Sequence, residues 1–378
     1  MLTEAAVVRE KDGPFVIEQV ELDDPRPDEV RVRLVGAGVC HTDAVVREQT
    51  YPTPLPAVLG HEGSGVVQAV GDAVVGVAVG DHVVLSVNTC GRCRQCLAGD
   101  STYCADLYAR NFGGTRPDGS TALRDRDGGQ LSSHFFGQSS FARHANVQAR
   151  SVVPIPADVP LELMGPLGCG IQTGAGAVMN SLRPPAGSSI AVFGAGAVGL
   201  SAVLAARAVG CARIVAVDVV PERLALATEL GATDVVDARD GDVAARVTEL
   251  TGGQGVDHAL ETTGVSAVLR TAADSLAIRG TVGVVGAQAP GEETAFETGL
   301  SMTRGWRLQM IIEGDAVPQT FIPQLVELWR QDRFPFDRLV TSYDFADIEQ
   351  AFADSAAGRT IKPVLRLGTP DGDPPRGS

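Results

Sequence analysis

Apolar and polar residues alternate along the first forty positions and again after residue 60, then give way to a different rhythm beyond residue 170. AAVVR, FVIEQVEL and EVRVRLVGAGV carry β-branched residues at alternate places, with a DDPRPDE break between the last two, which predicts strands joined by turns. Ser64–Val70 and VGDHVVLS at 79–86 repeat the pattern and suggest a small barrel-like unit. The prolines of YPTPLPAVLG exclude a helix before it. Residues 105–134 have no clear period and read as a long excursion, after which FFGQSSFARHANV at 135–147 returns to a β pattern.

Short apolar runs at 189–193, 213–217, 233–237, 256–261, 281–286 and 306–312 alternate mostly with helical patterns. Such alternation predicts βαβ units and a doubly wound parallel sheet. Val317–Gln331 reads as a helix, and Pro363–Leu367 as a strand that returns to the N-terminal β-rich part. The expected class is α/β, with a β-rich domain over 1–170 completed by 313–378 and a Rossmann domain over 171–312. The closing TPDGDPPRGS reads as a frayed tail.

The chain has 378 residues, enough for two domains with full cores. A formal net charge of −15 suits a soluble protein and argues against nucleic-acid or anionic-membrane partners. MLTEAAVVREKDG has no apolar core of a secretory signal, so a cytoplasmic location is expected.

Gly194, Gly196 and Gly199 form G-x-G-x-x-G between the strand at 189–193 and an Ala-rich helix, and a second strand ends in Asp218. In that context the first glycine allows a tight turn, the second lets the backbone approach a pyrophosphate, and the third lets helix and sheet pack closely. The helix N-terminus offers free N–H groups to the phosphates. Asp218 is placed to accept from the adenosine ribose and to repel the extra phosphate of NADP, so NAD is the expected cofactor. A membrane span fits the stretch poorly, because the glycines and Arg207 interrupt it.

Cysteines stand at 40, 90, 93, 96, 104, 169 and 211. Cys90, Cys93, Cys96 and Cys104 follow C-x2-C-x2-C-x7-C, a spacing that suits a closed, structural zinc site. A zinc-ribbon nucleic-acid module is the rival reading, and the acidic balance speaks against it. Cys40-His41-Thr42-Asp43 opens an expected helix that Thr42 could cap. His61, between Gly60 and Glu62, is expected to be more exposed than a core histidine. Two cysteines and one histidine with an open position are a catalytic zinc set, and Cys40, His61 and Cys169 supply those types. Glu62 could tune or transiently ligate the ion, and Asp43 could hold the other ring nitrogen of His61.

GVCHTD at 38–43, GHEGSGVV at 60–67, the four-cysteine loop, LGCGIQTGAG at 167–176, GAGAVG with Asp218, and IKPVL at 361–365 together resemble the zinc-dependent medium-chain alcohol dehydrogenases. FFGQSSFA, GPLGCGIQTGAG, FIPQLVELWRQ and FPFDRL are most similar to the bacterial aryl-alcohol dehydrogenases of that family. The resemblance implies a GroES-like catalytic domain beside the Rossmann domain, NAD, and one catalytic and one structural zinc. It places Cys40, His61 and Cys169 on the first ion and Cys90, Cys93, Cys96 and Cys104 on the second. Thr42 takes the alcohol proton. Thr173 and Val198 flank the nicotinamide, with Val285 in the same cofactor set. Asp218 and Arg223 hold the ribose, Lys362 matches a residue that pairs with the pyrophosphate, and His41 makes a weaker phosphate contact. Tyr51, Ser86, Phe135, Phe136 and Ile311 line the substrate pocket.

One departure concerns proton release, because Val45 stands where well-known animal members carry a relaying histidine. The activity implied is hydride transfer between an aromatic primary alcohol and NAD, with a terpenoid allylic alcohol such as geraniol as the alternative substrate. A non-catalytic zinc- and NAD-binding scaffold is the reading of a different class. A homodimer or homotetramer, paired through the apolar Leu308–Ile312, is expected by analogy.

Overall fold

The computed structural model describes residues 1–369, so 370–378 of the expected tail lie outside the described residues. The chain divides into two compact units. One comprises Met1–Cys169, Val317–Val326 and Leu339 onward, the other Gly170–Ala316 and Glu327–Arg338. The block 313–378 therefore does not return to the first unit as a whole. Phe334 and Phe336 are buried, Arg333 donates to the Ala208 carbonyl at 3.1 Å and Arg338 pairs with Glu229 at 2.5 Å, which holds that segment to the second unit.

In the first unit the alternating segments form two sheets. The larger orders Val152–Ile155, His82–Leu85, Gly63–Val70, Glu29–Gly38, Lys362–Arg366 and Val340–Asp344, with His144–Gln148 also paired to Glu29–Gly38. Lys362–Arg366 runs antiparallel to Glu29–Gly38, with Val364 opposite Gly38. The smaller sheet orders Ala57–Val58, Leu2–Val8, Val16–Leu22, Leu123–Arg124 and Gln130–Leu131. Several of these strands, Leu2–Val8, Glu29–Gly38 and Lys362–Arg366 among them, are buried along most of their length, and Val7, Leu34, Val67, Val83, Leu131 and Phe141 belong to one core.

The excursion after Cys104 is more ordered than its lack of period suggested. It contains the helix Leu107–Phe112 and the hairpin of Leu123–Arg124 with Gln130–Leu131. A buried ionic network holds it. Arg116 donates to both oxygens of Glu29 (2.7 and 2.9 Å) and to Asp23 (3.0 Å), and His134 Nε2 lies 3.0 Å from Glu29 Oε1. Burial alone would raise the Glu29 pKa, but hydrogen bonds from His134 and Arg116 outweigh it and hold the carboxyl well below its usual range.

The second unit carries a six-stranded sheet ordered Asp234–Asp237, Arg213–Asp218, Ser189–Phe193, Val256–Glu261, Leu276–Val284, Arg307–Met310. Every adjacent pair is parallel. In chain order this is 3-2-1-4-5-6, the doubly wound dinucleotide arrangement. No described helix is long and apolar enough to cross a membrane.

Candidate active site

Two groups of metal-type side chains stand in the first unit. Within each, the ligand atoms lie within 4.8 Å of one another. The first is Cys90, Cys93, Cys96 and Cys104. Cys96 Sγ lies 3.5 Å from Cys93 Sγ and 3.9 Å from Cys90 Sγ. Tetrahedral zinc with Zn–S near 2.3 Å sets sulfurs about 3.8 Å apart. The loop therefore fits such an ion with little rearrangement. The Ala105 N–H, pointing at the Cys93 sulfur from 3.5 Å, helps lower that thiol to about 6 and so favours the thiolate a metal needs.

The second group is Cys40, His61, Glu62 and Cys169, with Cys40 partly and the others fully buried. Cys40 lies two residues past the strand Glu29–Gly38 and sits at the N-cap position of the helix His41–Arg47, so Thr42 lies inside the first turn and does not cap it. Asp43 organises this corner. Its carboxylate accepts from Cys40 N (3.1 Å) and Gly60 N (3.1 Å), and its Oδ1 lies 3.0 Å from His61 Nδ1. His61 has no exposure at all, contrary to the reading of a histidine between glycines as exposed. Strand Gly63–Val70 starts two residues later, and Phe136 stacks on the imidazole at 4.5 Å with Phe135 edge-on at 5.4 Å.

With Nδ1 engaged, His61 Nε2 is buried and meets no hydrogen-bond partner. A buried ring nitrogen without a partner, facing two thiols, is the signature of a ligand atom. The charges agree. Cys40 is held well below the usual thiol range by its hydrogen bond with Cys169, against burial and with help from Lys362 and His61. Burial opposes a charged His61, yet Asp43 and Cys40 outweigh it and raise its pKa well above normal. The pocket therefore attracts positive charge.

Glu62 is pushed up to about 7 by burial, although Lys362 pulls it down. Lys362 requires a correction. Its side chain is 3% exposed, and Nζ donates to both Glu62 oxygens (2.9 and 3.0 Å) and to the Val39 carbonyl (3.2 Å). An ammonium has three donors, so this lysine is spent inside the first unit and does not hold a pyrophosphate.

Cys169 arrives through the tight run Gly165–Gly168, where a Cβ on Gly168 would lie 1.9 Å from the Leu85 carbonyl oxygen. Ser86 Oγ donates to the Gly168 carbonyl at 2.7 Å, so this expected pocket residue steadies the cysteine's approach. Tyr51 packs on Phe112 at 6.1 Å. Phe112, invisible in the aperiodic stretch, also meets Phe135 (5.9 Å) and Phe136 (5.3 Å). Phe136 has a left-handed φ of 51°. Gln138 secures the same turn, accepting from Gly63 N (3.1 Å) and donating to the His61 carbonyl (2.9 Å).

The remaining expected residues belong to the second unit, apart from exposed His41 at the helix start. Gly194 has φ 97°, and a Cβ on Gly199 would meet the Gly194 oxygen at 1.8 Å, so both glycines are demanded by the chain itself. A Cβ on Gly196 meets nothing within 4 Å, which leaves open space beside the helix N-terminus at Ala197. Asp218 accepts from Ala195 N (2.6 Å), Val219 N (2.8 Å) and Val220 N (2.9 Å), fixing its carboxylate at the carboxyl end of its strand. Arg223 Nε is buried and unpartnered nearby in sequence. The Val198 carbonyl packs against Gly174, next to Thr173. Val285 and Ile311 follow the ends of the strands Leu276–Val284 and Arg307–Met310. An open, glycine-lined turn at a helix N-terminus suits a dinucleotide phosphate.

The comparisons agree with this geometry. Residues 26–157 match the alcohol dehydrogenase GroES-like domain family, and residues 197–330 the zinc-binding dehydrogenase family. A geraniol dehydrogenase of Castellaniella defragrans is 48% identical, over 96% of this chain and 97% of its own length. The crystal structure of an alcohol dehydrogenase zinc-binding domain protein from Burkholderia ambifaria has a TM-score of 0.96 and 55% identity, covering 98% of this chain and 100% of that one. A benzyl alcohol dehydrogenase from Acinetobacter calcoaceticus has a TM-score of 0.94 and 46% identity, covering 97% and 100%. With its GroES-like and Rossmann domains and its paired cysteine sites, the chain belongs to the zinc-dependent medium-chain alcohol dehydrogenases.

Proposed function

We propose that this alcohol dehydrogenase uses NAD and two zinc ions to interconvert an aromatic primary alcohol of the benzyl type and its aldehyde. The observation that carries the substrate class is the aromatic wall of Phe112, Phe135 and Phe136 built against His61. Flat rings stack on such a surface. A geraniol-type allylic alcohol is the second reading, favoured by the relative from Castellaniella.

Cys40, His61 and Cys169 would hold one zinc, with Glu62 beside it, and the four-cysteine loop the other. When bound, the first zinc supplies a Lewis acid for the alcohol oxygen and NAD supplies the hydride acceptor. The chain's own residues handle the proton and the fit. Thr42 Oγ1 lies 3.8 Å from Cys40 Sγ, beside the ligand set, and takes the alcohol proton. Val45 has no group to pass it on, so exposed His41 and water carry it out. Asp43 keeps His61 in the tautomer that presents Nε2. Gly194, Gly196 and Gly199 admit the pyrophosphate, while Asp218 and Arg223 take the adenosine ribose, the carboxylate disfavouring NADP. Thr173, Val198 and Val285 flank the nicotinamide, and Ile311 contributes to the substrate side.

The chain is also proposed to pair with a copy of itself through the edge strand Arg307–Met310, where Leu308 and Met310 are 39% and 58% exposed. A monomer by light scattering at micromolar concentration would reject that pairing. The enzymatic test is NAD reduction with benzyl alcohol, geraniol and ethanol in parallel, with a zinc-stripped control and NADP as second cofactor. Benzyl alcohol turnover lost on stripping supports the whole reading. Faster geraniol turnover moves the substrate to the second reading, and preference for NADP overturns the role of Asp218.

A further inference from the structure

The aromatic wall against His61 does not end in the interior of the first unit. Phe136 stacks on the imidazole at 4.5 Å, Phe112 meets Phe136 at 5.3 Å, and Tyr108 stacks on Phe112 at 5.0 Å with 18° between the ring planes. Aromatic rings in contact stand about 4.5–7 Å apart, so each step of this series is one ring long. Exposure rises along it. Phe136 is 7% exposed, Phe112 is partly buried and Tyr108 is 53% exposed. The contacting rings thus lead from His61 to solvent.

The outer part of the series stands on the helix Leu107–Phe112, LYARNF, where Tyr108 and Phe112 are four residues apart and so share a face. A helix of six residues does not hold itself together. Asn111, 1% exposed, ties it down. Its Oδ1 accepts from Asn88 N at 2.9 Å, and its Nδ2 donates to the carbonyls of Asn88 (2.9 Å) and Leu107 (2.7 Å). Leu107 packs against the core of the unit. The outer rings are therefore in place before a ligand arrives. A single exposed tyrosine on a protein surface needs no explanation. One that continues the wall of the site, on an anchored helix, lengthens the surface on which a ring can stack.

We propose that Tyr108 forms an outer subsite for aryl groups, so that the substrate class extends to aromatic alcohols with a second ring beyond the one next to the carbinol. This rests on the benzyl-type reading given above. With its oxygen at the cluster of Cys40, His61 and Cys169, a benzyl ring covers only the inner step of the series, beside Phe135 and Phe136. A second ring joined para to the carbinol carries the stacking surface outward to Phe112 and Tyr108. That contact is the same before and during hydride transfer, so it lowers KM and leaves kcat unchanged.

The test is steady-state oxidation of benzyl alcohol and of 4-phenylbenzyl alcohol by the zinc-loaded full-length protein with NAD, for wild type, Tyr108→Ala and Tyr108→Phe, with a melting curve of each. The expected result for Tyr108→Ala is a KM for 4-phenylbenzyl alcohol raised about fivefold, the loss of one stacked pair, with kcat unchanged and the KM for benzyl alcohol changed less than about twofold. Tyr108→Phe keeps the ring and is expected to match wild type. Alanine suits an exposed helix position, so Tyr108→Ala is expected to melt close to wild type. An aromatic pair four residues apart also stiffens its own helix, and that role alone would lower the melting midpoint and affect both alcohols alike. Equal change for both alcohols, no change for either, a Tyr108→Phe variant that behaves like Tyr108→Ala, or a wild type that oxidises benzyl alcohol but not 4-phenylbenzyl alcohol overturns the proposal while the benzyl-type reading stands. Wild type that oxidises neither alcohol overturns both.

Discussion

The two cysteine-bearing clusters of the first unit were assembled in opposite ways. Cys90, Cys93, Cys96 and Cys104 come from one loop and close over themselves, with Cys93 and Cys96 partly exposed. Cys40, His61, Glu62 and Cys169 come from distant points of the chain and meet only because a strand end, a turn and a glycine-tight run converge in the core. Closing a short loop costs little chain entropy, so the first cluster can form almost without the rest of the domain. The second needs the register of the whole sheet. The first is also sealed by its own four thiolates, whereas the second leaves His61 Nε2 buried without a hydrogen-bond partner. The contrast separates a cluster that holds the fold from one that the fold holds.

That contrast can be broken most sharply at Cys169. Cys169→Ser is expected to lower kcat by about a thousandfold, the several kcal/mol of charge stabilisation a catalytic metal provides, with a thermal midpoint close to wild type. Steady-state kinetics, a melting curve and zinc analysis check it together. An equal loss of stability would show that the buried cluster is also structural. Cys104→Ser should do the reverse. Stability falls by about 3 kcal/mol, on the order of 8 °C in the melting midpoint, while the protein that remains folded keeps most of its turnover and one zinc. Loss of turnover without loss of stability would overturn the assignment of that loop.

A finer probe is Asp43→Asn, which keeps the shape and weakens the hydrogen bond to His61 Nδ1. Zinc affinity of the buried cluster should drop roughly 10- to 100-fold, with turnover restored by added zinc. Competition with a chelator measures this, and an unchanged affinity would show that Asp43 serves only the backbone N–H groups it also accepts.

The smallest effect lies outside both clusters and serves as their control. His144 is pushed down to about 4, first by burial and then by Arg33, Arg31 and Arg143. Its folded pKa lies below the unfolded value near 6.5, so the unfolded chain binds the extra proton first. Stability is therefore full above about pH 6.5 and declines as pH falls towards 4, by about 2 kcal/mol after allowance for partial exposure. His144→Gln should flatten that slope without touching zinc content or kcat, as melting midpoints at pH 5 and pH 7 would reveal. A slope that survives the substitution would place its origin in other groups.

Much of this was legible in the residues themselves. The six parallel strands, the glycine turn before Ala197 and the return of Lys362–Arg366 to the first sheet all follow from local apolar runs and turn chemistry. The four-cysteine loop was legible because its ligands are neighbours along the chain. The aperiodic stretch after Cys104 was not, since Leu107–Phe112 is too short for a period to register, and so Phe112 was missed as a partner of Phe135 and Phe136.

What the sequence determined by itself are the chemical types and their local spacing, because contacts within a few residues depend only on backbone geometry. What the tertiary structure decided is which of those types meet. It buried His61 under Phe135 and Phe136, turned Lys362 inward onto Glu62, and clamped Glu313 to Thr173. Each of these joins residues far apart in the chain. Their meeting depends on strand register and close packing, where a shift of one residue reverses the face a side chain occupies.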